Sequence, residues 1–90
     1  MTTVSRTVRI TNRRGLHARA SAKFVTLASS QTTEIMVEKD GSRVTGTSIM
    51  GLMMLGAAMG DEIVISATGD AAEPAVAALC RLVEGRFGED

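Results

Sequence analysis

The chain has 90 residues, of which 44% are hydrophobic and 22% charged, a composition typical of a folded protein and not of a disordered one. No apolar run reaches the ~18 residues that a membrane helix requires, and the first ten residues lack the apolar stretch of a signal peptide. We therefore expect one cytoplasmic domain over residues 1–90 with no membrane contact, and no internal disulfide because Cys80 is the single cysteine.

The net charge is zero, but the charges are unevenly distributed along the chain. Residues 1–33 carry six cations and no acidic residue, whereas residues 34–90 carry four cations and ten carboxylates. The formal net charges of the two segments are therefore +6 and −6. A basic surface in the N-terminal part would attract phosphate or an acidic partner. A solvated face with no specific partner is the alternative interpretation.

The first half of the chain is predicted to form three strands and a helix. Polar–apolar alternation predicts a strand over residues 3–10, and apolar residues at helical spacing predict a helix from about His17 to Ser29. A second strand is predicted over residues 32–39. The dipeptide Asp40-Gly41 then favours a hairpin turn into a third strand over residues 42–46.

The second half is predicted to contain a short helix over residues 48–55, with Thr47 or Ser48 as N-cap, and a strand over residues 61–69. A helix from Asp70 to about Arg86 follows, with Asp70 and Glu73 at the spacing of a capping box and Cys80 on its apolar face. The order β-α-β-β-α-β-α predicts an α+β fold. We expect an open-faced β-sandwich, in which a four-stranded antiparallel sheet carries three helices on one face.

The single histidine, His17, lies in the stretch Gly15-Leu16-His17-Ala18-Arg19 at the predicted start of a helix. One histidine and one cysteine are too few for a metal site of the His/Cys type, so we expect no metal and no cofactor. A helix N-terminus binds anions through free amides and disfavours a protonated imidazole, which leaves a neutral nucleophile. Arg19 can bind phosphate oxygens through its guanidinium. From these residues alone, a phosphorylated histidine and an ordinary surface histidine at a helix end both stay open.

Two stretches, GLHARASAKFV and GTSIMGLMMLGAAMGDEIVISATG, resemble the signature sequences of the HPr family, the histidine phosphocarriers of the bacterial phosphoenolpyruvate-dependent phosphotransferase system. The resemblance extends over essentially the whole chain. It implies that His17 accepts a phosphoryl group on Nδ1 from Enzyme I, with Arg19 as its partner, and passes it to an EIIA-type acceptor domain. On this basis we expect a monomeric carrier and not an enzyme.

One position departs from the pattern of the family members that serve sugar transport. Ala20 stands where those members usually have a proline directly after the arginine. Alanine is an excellent helix former, so the helix itself should be preserved. The stretch His-Ala-Arg-Ala-Ser is similar to that of family members in the nitrogen-related branch, and we favour that branch, while the sugar branch stays open.

The resemblance also implies a second modification, at Ser48, by an HPr kinase/phosphorylase. Phosphate at a helix N-cap gains contacts with amides and with the helix dipole; an ordinary N-cap serine is the alternative. The methionines of the short helix suggest an adaptable apolar surface that can meet a donor and several acceptors, although a methionine cluster is more often part of a core. The residues predicted to bind partners are Leu16, Ala20, Lys23, Ile49, Met50 and Met53.

Three other functions share features with this sequence. RNA-recognition domains share the order β-α-β-β-α-β, but they stack bases on strand aromatics, and here Phe24 and Phe87 lie outside the predicted strands, so we expect no nucleic acid partner. A phosphate-ester hydrolase would need a general base, and no acidic residue precedes Glu34, although a distant residue could supply one. A regulatory interaction protein of the same family, acting mainly through protein binding, is the third; the presence of both His17 and Arg19 argues against a loss of phosphotransfer.

Overall fold

The computed structural model of the chain describes residues 2–89. Its elements in chain order are β1 (Thr3–Arg9), α1 (Ala18–Ser29), β2 (Met36–Lys39), β3 (Ser42–Thr45), α2 (Ile49–Met54), β4 (Glu62–Thr68) and α3 (Ala72–Glu84), followed by a short 3-10 turn (Arg86–Gly88). This order confirms the predicted α+β fold.

The four strands form one antiparallel sheet in the order β1-β4-β2-β3. The hairpin between β2 and β3 turns at Asp40 and Gly41, whose φ angles of 51° and 85° are those of a primed turn, as the Asp-Gly dipeptide predicts. In the register, Val8 lies opposite Ile63, and Val37 lies opposite Ile65. These pairs place the apolar side chains of three strands on one face of the sheet.

The core lies between that face and the helices. The sheet contributes buried aliphatic side chains from three strands, and α1 contributes Phe24, which is fully buried. The apolar stripe of α3 adds Val76, Leu79 and Val83, and Cys80 is buried among them, which confirms its predicted place in the core. Burying each large apolar side chain contributes about 1.5–3 kcal/mol. The packing fixes α1, and with it the residue at its N-terminus.

Some predicted boundaries are wrong. The second strand begins at Met36 and not at residue 32, since residues 31–33 form a bend. The capping box of the last helix is absent, because Asp70 lies in the preceding turn and α3 begins at Ala72, with Ala71 as an N-cap that makes no side-chain hydrogen bond. The helix ends at Glu84, two residues before the predicted end.

Within residues 2–89, no helix is both long enough and apolar enough to cross a bilayer.

Candidate functional site at the start of the first helix

The loop before α1 is held against the segment that follows α2. Gly15 has a φ of +64°, and a Cβ atom there would clash with the carbonyl oxygen of Ala57 and lie 2.9 Å from Cα of Ala58. The amide of Leu16 donates to the carbonyl of Ala57 at 3.0 Å. A glycine is therefore required both by the left-handed backbone and by the close approach of another loop. This contact joins the two sequence stretches that resemble the family signatures.

His17 is the N-cap residue of α1, with an extended backbone (φ −72°, ψ 178°). Its Nδ1 atom accepts a hydrogen bond of 3.2 Å from the backbone amide of Arg19, and its Nε2 atom lies 2.6 Å from Oε2 of Glu89. A backbone amide can only donate, so Nδ1 holds a lone pair and the proton of the neutral ring is on Nε2. In the neutral ring, the nitrogen with the free lone pair is therefore Nδ1.

Glu89 also belongs to the site, although no sequence pattern indicated it. Its Oε1 atom accepts a hydrogen bond of 3.1 Å from Nδ2 of Asn12, a buried residue whose amide also donates to the carbonyl of Gly15 at 2.8 Å. The hydrogen bond from His17 holds the pKa of Glu89 below its ordinary value, and Asn12 and Lys23 act in the same direction against partial burial. Glu89 is therefore ionised at neutral pH. Seventy-two residues separate it from His17, and no local pattern joins them.

Cationic groups surround the histidine. Arg13, Arg14 and Arg19 line, together with His17 and Glu89, an open depression of about 430 Å³. These arginines are exposed, and none of them forms an ion pair with another part of the described chain. The N-terminus of α1 adds the positive end of its dipole. The depression is therefore suited to an anion such as a phosphoryl group.

The residues predicted to bind partners fall into two groups. Ile49, Met50 and Met53 are exposed, with 69% of Met50 accessible, so their predicted place on the surface is confirmed. Leu16 and Ala20 are buried, and their predicted contact with a partner is wrong, because both side chains pack into the core.

Lys23 and Ser48 both form contacts within the protein. The ammonium group of Lys23 donates to the carbonyl of Phe87 at 2.7 Å, so it is bound to the C-terminal turn. Ser48 is the N-cap of α2, and its Oγ atom accepts from the amide of Gly51 at 2.9 Å, so it is Ser48 and not Thr47 that caps this helix. The phosphorylation of Ser48 stays a prediction.

Within residues 2–89 no cluster of three His, Cys, Asp or Glu side chains is arranged to hold a metal ion.

A histidine at a helix N-terminus, in a depression lined by arginines, is the arrangement of a candidate phosphohistidine protein. Residues 4–85 match the family profile described as "PTS HPr component phosphorylation site". The chain therefore belongs to the HPr family of the phosphotransferase system.

Relatives with two different names resemble the chain over nearly its full length. The "Phosphocarrier protein HPr" of Neisseria meningitidis serogroup A is 48% identical over 86 residues, which cover 96% of this chain and 97% of the relative. The "Phosphocarrier protein NPr" of Shewanella violacea is 39% identical over 89 residues, which cover 99% of this chain and 98% of the relative. HPr and NPr proteins are thus both among the relatives of this chain.

Solved structures share the fold. The crystal structure of HPr-C-His from Thermoanaerobacter tengcongensis matches with a TM-score of 0.89 and 47% identity, covering 100% of this chain and 99% of that one. A structure described as an HPr dimer from the same organism matches with a TM-score of 0.75 and 48% identity, covering 91% of this chain and 94% of that one. The monomeric state of this chain stays a prediction.

Proposed function

We propose that this chain accepts a phosphoryl group on Nδ1 of His17 from phospho-Enzyme I and passes it to an EIIA-type acceptor domain. The observation that carries the proposal is the hydrogen bond from the backbone amide of Arg19 to Nδ1 of His17, which directs the lone pair of Nδ1 towards the N-terminus of α1. Membership of the HPr family supports a carrier role within the phosphotransferase system. In this proposal residues 1–90 act as one cytoplasmic carrier domain, and no enzymatic turnover is required.

The helix N-terminus supplies what the reaction needs. When the lone pair of Nδ1 forms the bond to phosphorus, the amide of Arg19 loses its acceptor on the ring and becomes free to donate to a phosphoryl oxygen. The helix dipole and the exposed guanidinium of Arg19 add positive charge at the same place. These groups are present before the phosphoryl group arrives, so little reorganisation opposes the transfer.

Two further parts of the proposal concern partners. The exposed side chains of Ile49, Met50 and Met53 form an apolar patch on α2, suited to docking more than one partner protein. Phosphorylation of Ser48 by an HPr kinase/phosphorylase would place about two negative charges at the edge of this patch and oppose docking of Enzyme I. Kinase and ATP should then give an acid-stable phosphate that Ser48→Ala abolishes, and labelling of that variant would refute this part.

The principal test is phosphorylation by Enzyme I and phosphoenolpyruvate. The wild-type protein should acquire one phosphate that is labile in acid and stable in base, as expected for a phosphohistidine. His17→Ala should acquire none while keeping the circular dichroism spectrum of the wild type. Equal labelling of the two proteins, or an unlabelled wild type, would contradict the proposal.

A further inference from the structure

The chain folds back on itself after α3. The five residues 85–89, which we name the C-terminal clasp, begin at the end of α3, and Arg86 and Phe87 have φ angles of 58° and 55°. Left-handed conformations are uncommon for such residues, and two in succession reverse the direction of the chain. The side chain of Phe87 is buried, and its carbonyl accepts the hydrogen bond from Lys23 on α1. The clasp is therefore anchored to the helix that begins at His17.

This anchoring brings the carboxylate of Glu89 to the far side of the histidine ring. One carboxylate oxygen lies 2.6 Å from Nε2 of His17, and the other accepts from the buried amide of Asn12 at 3.1 Å. The side chains of His17 and Glu89 are only 15% and 20% exposed. Exposed ion pairs are loosely held, whereas this carboxylate is fixed by two donors and by the packing of Phe87.

The two nitrogens of the ring thus have different and complementary partners. Because the amide of Arg19 donates to Nδ1, the neutral ring keeps its proton on Nε2, where Glu89 accepts it. We propose that Glu89 is a positioning residue for phosphoryl transfer, which holds the lone pair on Nδ1 and remains hydrogen bonded to the Nε2 proton after the phosphoryl group has bonded to Nδ1. This inference rests on the proposed function.

The electron balance of the step explains the use of a carboxylate. The lone pair of Nδ1 forms the new bond to phosphorus, while the bond between phosphorus and the donor breaks and its electron pair leaves with the donor. The ring keeps its Nε2 proton and becomes positively charged, and the ionised Glu89 compensates that charge. In the onward transfer the electron pair of the N–P bond returns to Nδ1, so no proton has to leave Nε2. Carboxylates orient histidines in the same way in hydrolase triads and at metal sites.

The ring state of the unphosphorylated protein is the first test. At a pH where the ring is neutral, NMR of ¹⁵N-histidine protein should show the proton on Nε2, with a downfield resonance protected from exchange with water. Glu89→Leu, which removes the acceptor, should lose this protected resonance, and Glu89→Gln, which keeps an acceptor, should retain it. Glu84→Leu is the matched control, because Glu84 is an exposed glutamate at the end of α3, and it should leave the resonance unchanged. A wild-type ring protonated on Nδ1 would overturn the proposal.

The rate of phosphorylation is the second test. In single-turnover experiments with phospho-Enzyme I, Glu89→Leu should accept the phosphoryl group roughly tenfold more slowly than the wild type, the lower end of what the loss of a histidine's carboxylate partner costs. Glu84→Leu should react at the wild-type rate. An unchanged rate for Glu89→Leu would overturn the positioning role. A faster rate would also overturn it, and would show that the carboxylate competes with the phosphoryl group.

The two tests separate the failure of this inference from the failure of the proposed function. A wild-type protein that takes no phosphoryl group refutes the proposed function, and this inference with it. If instead the wild type is phosphorylated and its ring lacks the protected Nε2 proton, the proposed function stands and the role of Glu89 is refuted.

Discussion

The close approach of Gly15 to Ala57 leads to a prediction with an unusually well matched control. Gly15 and Gly56 have φ angles of +64° and +65°, so Gly→Ala imposes the same backbone strain at both positions. A Cβ at Gly56 would meet nothing within 4 Å, whereas a Cβ at Gly15 would clash with the carbonyl of Ala57. The difference in the free energy of unfolding between the two variants therefore measures how tightly the loop before His17 packs against the segment at Ala57.

The expected magnitudes follow from the geometry. A left-handed alanine costs about 1–2 kcal/mol, and restricting the unfolded chain returns about 0.4–1 kcal/mol, so Gly56→Ala should lower the free energy of unfolding by about 1 kcal/mol. At Gly15 the clash must also displace Ala57, whose carbonyl accepts the amide of Leu16. Losing that hydrogen bond and leaving a buried donor adds about 1–3 kcal/mol. Gly15→Ala should therefore cost about 2–4 kcal/mol.

Urea unfolding followed by far-ultraviolet circular dichroism measures this difference. The chain has no tryptophan or tyrosine, so its own fluorescence is of little use as a probe. The m-values of the two variants should match, and the midpoint of thermal unfolding should be lower for Gly15→Ala by about 4–8 °C for each kcal/mol of difference. Equal losses of stability in Gly15→Ala and Gly56→Ala would refute the close packing of the two loops.

Three further predictions test the surface and the clasp. Met50→Glu should weaken binding to Enzyme I by about tenfold, or 1.4 kcal/mol. Met59→Glu, at an exposed methionine outside α2, should change this affinity little. Equal losses of affinity in a binding titration would contradict the docking of Enzyme I on the apolar patch of α2. Phe87→Ala should lower the free energy of unfolding by about 3–5 kcal/mol in urea, and a loss below about 1 kcal/mol would show that the ring is not part of the core. Folding lowers the pKa of Glu89, so the folded state binds the carboxyl proton less tightly than the unfolded state does. The ionised Glu89 therefore stabilises the folded state above pH 4.5, its ordinary pKa. This stabilisation is lost as the pH falls through the lowered pKa of the folded state. As the pH is lowered through the pKa of Glu89 in the folded protein, the difference in free energy of unfolding between wild type and Glu89→Gln should shrink. A difference that does not change with pH would contradict the lowered pKa of Glu89.

Much of the fold could be predicted because it is encoded locally. Alternation within seven residues identifies β1 and β4, and the Asp40-Gly41 dipeptide identifies the hairpin without knowledge of the rest of the chain. The histidine could be placed at a helix start for the same reason. The predicted N-cap of α2 depends on Ser48 and the residues next to it, and the structure confirms it.

The rest of the site depends on tertiary contacts. Glu89 reaches His17 through a chain reversal at Arg86 and Phe87, and neither arginine nor phenylalanine is a residue type that marks a left-handed turn. Asn12 holds Glu89 in place from the loop before α1. Leu16 and Ala20 flank the site in sequence, yet they face the core. Proximity in sequence to a functional residue does not establish which way a side chain points, since the direction is fixed by the packing of α1 on the sheet.

The most direct test of the proposed phosphocarrier function is the position of the phosphoryl group on the ring of His17. The chain has a single histidine, so ¹⁵N-histidine labelling gives the spectrum of one ring. After phosphorylation by Enzyme I and phosphoenolpyruvate, we expect a one-bond coupling between ³¹P and Nδ1 of His17, with the proton still on Nε2. Coupling to Nε2, or phosphate on any other residue, would contradict it.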